Sequence, residues 1–258
     1  MKRRAFIASA AATAGTIISG VKVALADSSI SNTPFNIGML MFNDMTYLDF
    51  SGPNDFWARP RNAKISVISK SMDVIRTDTG TKVLPDMVLS QAPDLDLIFV
   101  GGGPGVSALM EDAEILEFLQ KRAPSARFIT SVCTGALVLG AAGLLRGRKA
   151  TTHWTAMDVL PIFGAEPVQQ RVVTDGNLIT GGGVTAGIDF GLSVAAQVWG
   201  EQTAQLLQLG SEYDPHPPFN AGRPETAPRE VVSRLKTITE RQTNERIAIA
   251  ERAAARFR

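Results

Sequence analysis

A single cysteine occurs in the 258 residues, and it falls where a short apolar run gives way to small residues, in Thr130-Ser-Val-Cys-Thr-Gly-Ala-Leu137. A thiol between a buried strand and a helix is held on a tight, strained turn that pushes its side chain into the space above the sheet edge. Gly135 and Ala136 leave room for such a turn. The helix start that follows offers free N–H groups, so Cys133 reads as a nucleophile with a lowered pKa. The competing reading is a buried, inert core cysteine.

Such a nucleophile needs a proton partner and a place for developing charge. Asp49 follows the first apolar run and precedes Gly52-Pro53, so it can face the same sheet edge. A carboxyl beside a thiolate is pushed towards its protonated form, which suits a proton donor; a helix-capping or solvated aspartate is the alternative. Gly101-Gly102-Gly103 follows another strong apolar run. The N–H groups of Gly102 and Gly103, with that of Thr134, are expected to cradle a negative charge, unless the triplet is only a tight turn. Gly181 to Ala186 matches the spacing of a dinucleotide fingerprint, with Glu201 twenty residues beyond Gly181. A hairpin strand leads into it and no βαβ unit follows, so no nucleotide is expected there.

The two histidines, His153 and His216, sit in no metal-ligand spacing, and one cysteine rules out a thiolate zinc cage. No metal is expected. His153 reads as a hydrogen-bonded structural histidine, the alternative being that it orients a loop near the cleft, and His216, among prolines, carries no chemistry. A peptidase or amidotransferase needs an imidazole base for its cysteine, which a histidine from elsewhere in the chain would have to supply. Phe56, Trp57 and Trp154 are candidates for an apolar pocket wall or for core packing.

These residues need a sheet to present them. Asn36–Phe42, Lys64–Ser69, Leu95–Val100 and Arg127–Val132 read as strands, and Val74–Leu89 as extended pieces joined by turns. Helices are expected over Pro53–Ala58, Ala113–Arg122, Thr134–Leu145, Thr155–Phe163 and Thr185–Trp199. A hairpin is expected from Arg171 to Thr180, turning at Asp175-Gly176-Asn177. Strands alternating with helices predict an α/β fold whose mostly parallel sheet is covered on both faces.

The first 26 residues are set apart. Arg3-Arg4, a weakly apolar stretch and Ala24-Leu-Ala26 predict a twin-arginine-type export signal over 1–26, hence a periplasmic protein with no stable membrane anchor. The α/β domain is placed at 27–228. Residues 229–258 read as a helix too polar for a core of its own, packing on the domain or on a second subunit. With a net charge of +1, nothing points to nucleic acid or acidic membranes; a small-molecule substrate fits.

With these segments in place, the chain resembles the ThiJ/PfpI family of the class I glutamine-amidotransferase-like superfamily, and within it the bacterial isonitrile-hydrating branch. The resemblance is carried by Leu48-Asp-Phe-Ser-Gly-Pro53, Gly105-Val-Ser-Ala-Leu-Met-Glu-Asp112, the run from Ser131 to Leu145, Ala150-Thr-Thr-His-Trp154, Gly176–Gly183, Thr185-Ala-Gly-Ile-Asp-Phe190 and Glu212–Gly222. It implies a flavodoxin-like three-layer sandwich with a cysteine nucleophile elbow, and commonly a homodimer. It implies addition of water to an isonitrile to give an N-substituted formamide, with no metal or organic cofactor. The nucleophile falls on Cys133, the acid/base carboxyl on Asp49 and an assisting hydroxyl on Thr134. A glyoxalase or deglycase acting on reactive carbonyls, and a non-enzymatic redox-sensing thiol, stay open. Regulators with similar sequences append a DNA-binding module, for which the roughly thirty residues after Pro228 are too few.

Overall fold

The first apolar run forms β1 (Phe35–Leu40), buried at all but one position because it lies inside a sheet covered on both faces. The computed structural model describes residues 33–257, so the expected export signal at 1–26 lies outside the described residues. After β1 come α1 (Tyr47–Trp57) and β2 (Ala63–Ser69). A small antiparallel pair, β3 (Ile75–Arg76) and β4 (Lys82–Val83), precedes β5 (Met87–Val88). The chain continues through β6 (Leu97–Val100), the short α2 (Val106–Leu109), α3 (Ala113–Arg122), β7 (Phe128–Val132) and α4 (Gly135–Ala141). Then follow β8 (Lys149–Ala150), a 3-10 stretch Trp154–Phe163, and β9 (Glu166–Pro167), which pairs with β8. The hairpin β10 (Val172–Asp175) and β11 (Leu178–Gly181) leads into α5 (Ala186–Trp199), α6 (Glu201–Gly210) and α7 (Arg229–Ala254).

Seven strands form one sheet in the order β10-β11-β7-β6-β1-β2-β5. All neighbours run parallel except β10 and β11. Their two-residue turn has Gly176 at its first central position with φ +58°, a conformation glycine adopts freely. Helices α1, α5 and α6 pack together on one face, while α2, α3, α4, α7 and the 3-10 stretch cover the other. The result is an α/β sandwich, and β11, β7, β6 and β1 present their carboxyl ends along one edge.

Three elements differ from their expected form. Pro53 does not open a helix; it lies inside α1, which begins at Tyr47. An internal proline loses a hydrogen bond and usually kinks a helix. Here it stands at the close approach of α1 to α5, where a Cβ on Gly191 would lie 3.0 Å from Pro53 Cα and one on Gly187 3.5 Å from its Cδ. Trp57 Nε1 donates to the Gly191 carbonyl at 2.9 Å across the same contact. The helix expected over Thr134–Leu145 stops at Ala141, and Thr155–Phe163 winds as 3-10 rather than α-helix, with Pro161 inside it. Helix α7 docks through its second half: Arg246, Ile249, Ala250, Ala253 and Ala254 are buried, and the helix packs against the 3-10 stretch and α4.

Candidate active site

Strand β7 runs directly into Cys133, whose φ of +56° is the left-handed conformation that costs a non-glycine residue of order 1–3 kcal/mol. The surroundings hold it there. The Cys133 N–H is shared between the carbonyls of Gly181 and Gly182 at 3.1 and 2.8 Å. Its own carbonyl accepts a hydrogen bond from Thr152 Oγ1 at 2.7 Å. Only glycine fits two positions on: a Cβ at Gly135 would stand 2.1 Å from the Val100 carbonyl oxygen. The side chain at 133 is thereby fixed at the β7 end, next to the ends of β6 and β11.

Asp49 reaches the same place from the first turn of α1 and is fully buried. Its Oδ2 accepts the Gly102 N–H at 2.7 Å. Its Oδ1 has no well-formed hydrogen bond among the described residues; the Cys133 thiol comes close enough for each group to shift the other's titration, without full hydrogen-bond alignment. The Gly103 N–H goes to Thr134 Oγ1 at 3.1 Å, and that hydroxyl lies 3.4 Å from the Gly103 carbonyl oxygen. The expected charge cradle at Gly102 and Gly103 is therefore corrected. Both N–H groups are already engaged, one holding the carboxylate and the other the threonine. The triplet also lies against the elbow, since a Cβ on Gly102 would come 2.6 Å from Thr134 N and 2.8 Å from Cys133 Cβ.

The electrostatics of the pair follow from burial. Desolvation pushes the Asp49 carboxyl up to about 7, against the opposing pull of the Gly102 N–H and the Cys133 thiol, and nearby Asp78 adds to the rise. Cys133 moves the same way, up to about 12. Burial is the largest cause and the Asp49 charge the next; together they outweigh the N–H groups of Val184 and Thr134 that donate towards the sulfur. The lowered thiol pKa expected from the helix start is thus not what the fold creates. The pair instead shares a proton that sulfur holds more tightly than carboxylate, with Asp49 poised near neutrality to take it.

Two residues beside the thiol carry no signal in the sequence as a catalytic motif. Val184 follows the Gly181–Gly183 triplet with φ +26° and supplies a backbone N–H to the sulfur. Thr152 anchors the elbow carbonyl; the Ala150–Trp154 run in which it stands was the available clue. His153 is half-buried against Gly183, where an added Cβ would meet its Cδ2 at 2.4 Å. Its Nδ1 accepts from the Thr155 N–H at 3.3 Å, and burial, then the charge of Arg246, lowers its pKa. Phe56 and Trp57 belong to the core, Trp57 packing on Phe99 and Phe190. Trp154 is half-buried. His216 is exposed and contacts Asp214. Among the described residues, no group of His, Cys, Asp and Glu is placed to hold a metal ion, and no helix is long and apolar enough to cross a membrane.

Comparison with known proteins places this geometry. The DJ-1/PfpI family matches residues 36–197, and the chain belongs to that family. It is 48% identical over 221 residues to the isonitrile hydratase of Pseudomonas putida, covering 86% of this chain and 97% of that protein. It is 30% identical over 141 residues to the glutathione-independent glyoxalase DJR-1.2 of Caenorhabditis elegans, covering 54% of this chain and 75% of that one. Among solved structures, a ThiJ/PfpI family protein from Pseudomonas syringae superposes with a TM-score of 0.83 at 45% identity, over 84% of this chain and 90% of that chain.

Proposed function

We propose that this DJ-1/PfpI family member adds water to an isonitrile to give an N-substituted formamide, with Cys133 as nucleophile and Asp49 as its proton relay. The observation that carries the reading is the buried pair itself: Cys133 held at positive φ on the turn after β7, beside a fully buried Asp49 that the Gly102 N–H fixes at 2.7 Å, with burial raising the pKa of both. Such a thiol reacts when its proton is removed during attack, and Asp49 is the group positioned to accept it. The likeness to the Pseudomonas putida isonitrile hydratase along most of both chains supports the substrate class.

The sulfur attacks the terminal isonitrile carbon while Asp49 takes the thiol proton and returns it to that carbon, leaving a thioimidate on Cys133. Water then adds to the same carbon, and one of its protons passes to nitrogen. The carbon–sulfur bond breaks, the remaining hydroxyl proton goes back to sulfur by way of Asp49, and the formamide leaves. The N–H groups of Val184 and Thr134 steady the sulfur as it becomes an anion.

The test is the purified protein, a simple alkyl isonitrile and detection of the formamide. Cys133→Ala loses all turnover above background, and undiminished turnover in that variant contradicts the mechanism. Because the base must be ionised, kcat/KM rises with pH through about 7; Asp49→Asn removes that ascending limb along with most of the rate. A second reading, turnover of a small reactive carbonyl, is favoured by the likeness to the nematode glyoxalase; methylglyoxal and the isonitrile assayed side by side separate the two. A redox-sensing role required an exposed thiol of low pKa, whereas this one is buried with its pKa raised.

The proposal extends to the whole chain. The paired Arg3-Arg4 and the small residues at Ala24-Leu-Ala26 support export to the periplasm, which cell fractionation tests. Exposed Val231, Leu235 and Ile238 on the first half of α7 support a homodimer, which light scattering on the purified protein tests.

A further inference from the structure

Among the described residues, two charged side chains are buried, Asp49 and Arg246. The first belongs to the site above; the second has no role in it. Arg246 sits on α7 with 5% of its surface exposed, its Nε has no hydrogen-bond partner, and no described carboxylate forms an ion pair with it. The adjacent Glu245 is exposed. A guanidinium stays charged in proteins, and burying it without a counter-charge is strongly unfavourable. A bound anion would offset that cost.

The packing of α7 indicates where the charge lies. Ala254 lines a small cavity with Gly140, Gly143 and Phe163, at the carboxyl ends of α4 and the 3-10 stretch. Arg246 is eight residues earlier on the same buried stripe, about 12 Å back along the helix axis at 1.5 Å per residue. That is roughly the distance from the end of α4 back to its start, where Cys133 and Thr134 stand. Burial fixes the direction of the run: the docked half of α7 lies along the 3-10 stretch, whose end at Phe163 meets Ala254 and whose start is capped by His153. A cation with no ion-pair partner among the described residues therefore lies level with the start of α4, on the sheet face opposite α1.

We propose that Arg246 is the anion-binding residue of the substrate site, taking the carboxylate of an isonitrile whose terminal carbon rests on Cys133. One guanidinium matches the single charge and the planar fork of a carboxylate. The preferred substrates are then isocyano carboxylates rather than neutral alkyl isonitriles. This rests on the isonitrile reading for the identity of the reacting group, but not for the anion site itself.

Alkylation of the only thiol in the chain tests the anion site without an isonitrile. Iodoacetate and iodoacetamide differ in charge and share their chemistry, so their rate ratio at Cys133 reports attraction of an anion. Arg246→Met lowers the iodoacetate-to-iodoacetamide ratio about ten- to hundred-fold and leaves the iodoacetamide rate within about three-fold; Arg246→Lys falls between. Should Arg246→Met fail to fold, acetate protection of the unaltered protein decides: acetate slows iodoacetate saturably. Equal loss with both reagents assigns Arg246 to the thiolate instead and overturns the proposal, as does an unchanged ratio or the absence of acetate protection. In parallel, isocyanoacetate and its methyl ester are compared as substrates, and Arg246→Met erases the preference for the acid. Failure to hydrate either one sinks the isonitrile reading alone. A changed alkylation ratio would still stand as the anion site.

Discussion

Two glycine triplets flank Cys133 and meet it with opposite polarity. Gly101–Gly103, beyond β6, turns its N–H groups to side chains: Gly102 to Asp49 and Gly103 to Thr134. Gly181–Gly183, at the end of β11, turns two carbonyls to the Cys133 N–H, and the residue after it sends an N–H to the sulfur. The first triplet fixes the proton partner; the second fixes the nucleophile's backbone. In sequence both are short glycine runs after an apolar strand. What separates them is where each backbone donor and acceptor finds its partner, because buried polar groups are nearly always paired.

If the first triplet is packed against backbone and the second against a side chain, adding a methyl group separates them most sharply. Gly102→Ala drives a Cβ to within 2.6 Å of Thr134 N, where backbone must move. We expect a loss of about 3 kcal/mol or more in denaturant unfolding and no detectable turnover. Gly183→Ala meets the ring of His153, a side chain able to shift, and is expected to cost about 1–2 kcal/mol. Equal effects from the two would remove the distinction.

The next largest effect concerns the carboxylate that the first triplet holds. Because the Asp49 pKa is raised from 3.8 to about 7 in the folded protein, the folded state binds its proton more tightly than the unfolded state. That contribution is complete below about pH 4 and is lost as pH rises through about 7. Asp49→Asn keeps an acceptor for the Gly102 N–H and has nothing to ionise. It is therefore expected to stabilise the protein by about 2–4 kcal/mol at about pH 8 and by little at about pH 4, as read from melts at the two pH values. A smaller effect belongs to the elbow's other support. Thr152→Val deletes the 2.7 Å hydrogen bond to the Cys133 carbonyl and is expected to cost about 1–2 kcal/mol, with a greater loss in kcat than in KM because the elbow then turns less sharply.

Much of the fold was legible because the strands are short apolar runs and the turns carry their own residues. The hairpin around Gly176 and the helix Ala113–Arg122 stand where the pattern places them. Pro53 misled because a local rule for proline cannot register the close approach of α5. The elbow at Cys133 and the presence of Asp49 beside it were readable from spacing along successive strand ends. Titration was not. A helix start predicts a lowered thiol pKa, but burial and a neighbouring carboxylate act the other way and are larger. Val184 had no local signature at all, since it reaches the thiol from the loop after β11, which joins the site only in three dimensions.

The central claim is that burial beside Asp49, not the start of α4, governs the proton on Cys133. Ultraviolet titration of the thiolate tests it directly, with Cys133→Ala as the reference, since no other thiol is present in the chain. The unaltered protein should show no thiolate until well above the ordinary cysteine value of about 8.5, and Asp49→Asn should move the transition to lower pH by removing the adjacent negative charge. A thiolate already present at neutral pH, or a transition that Asp49→Asn leaves in place, would contradict the account.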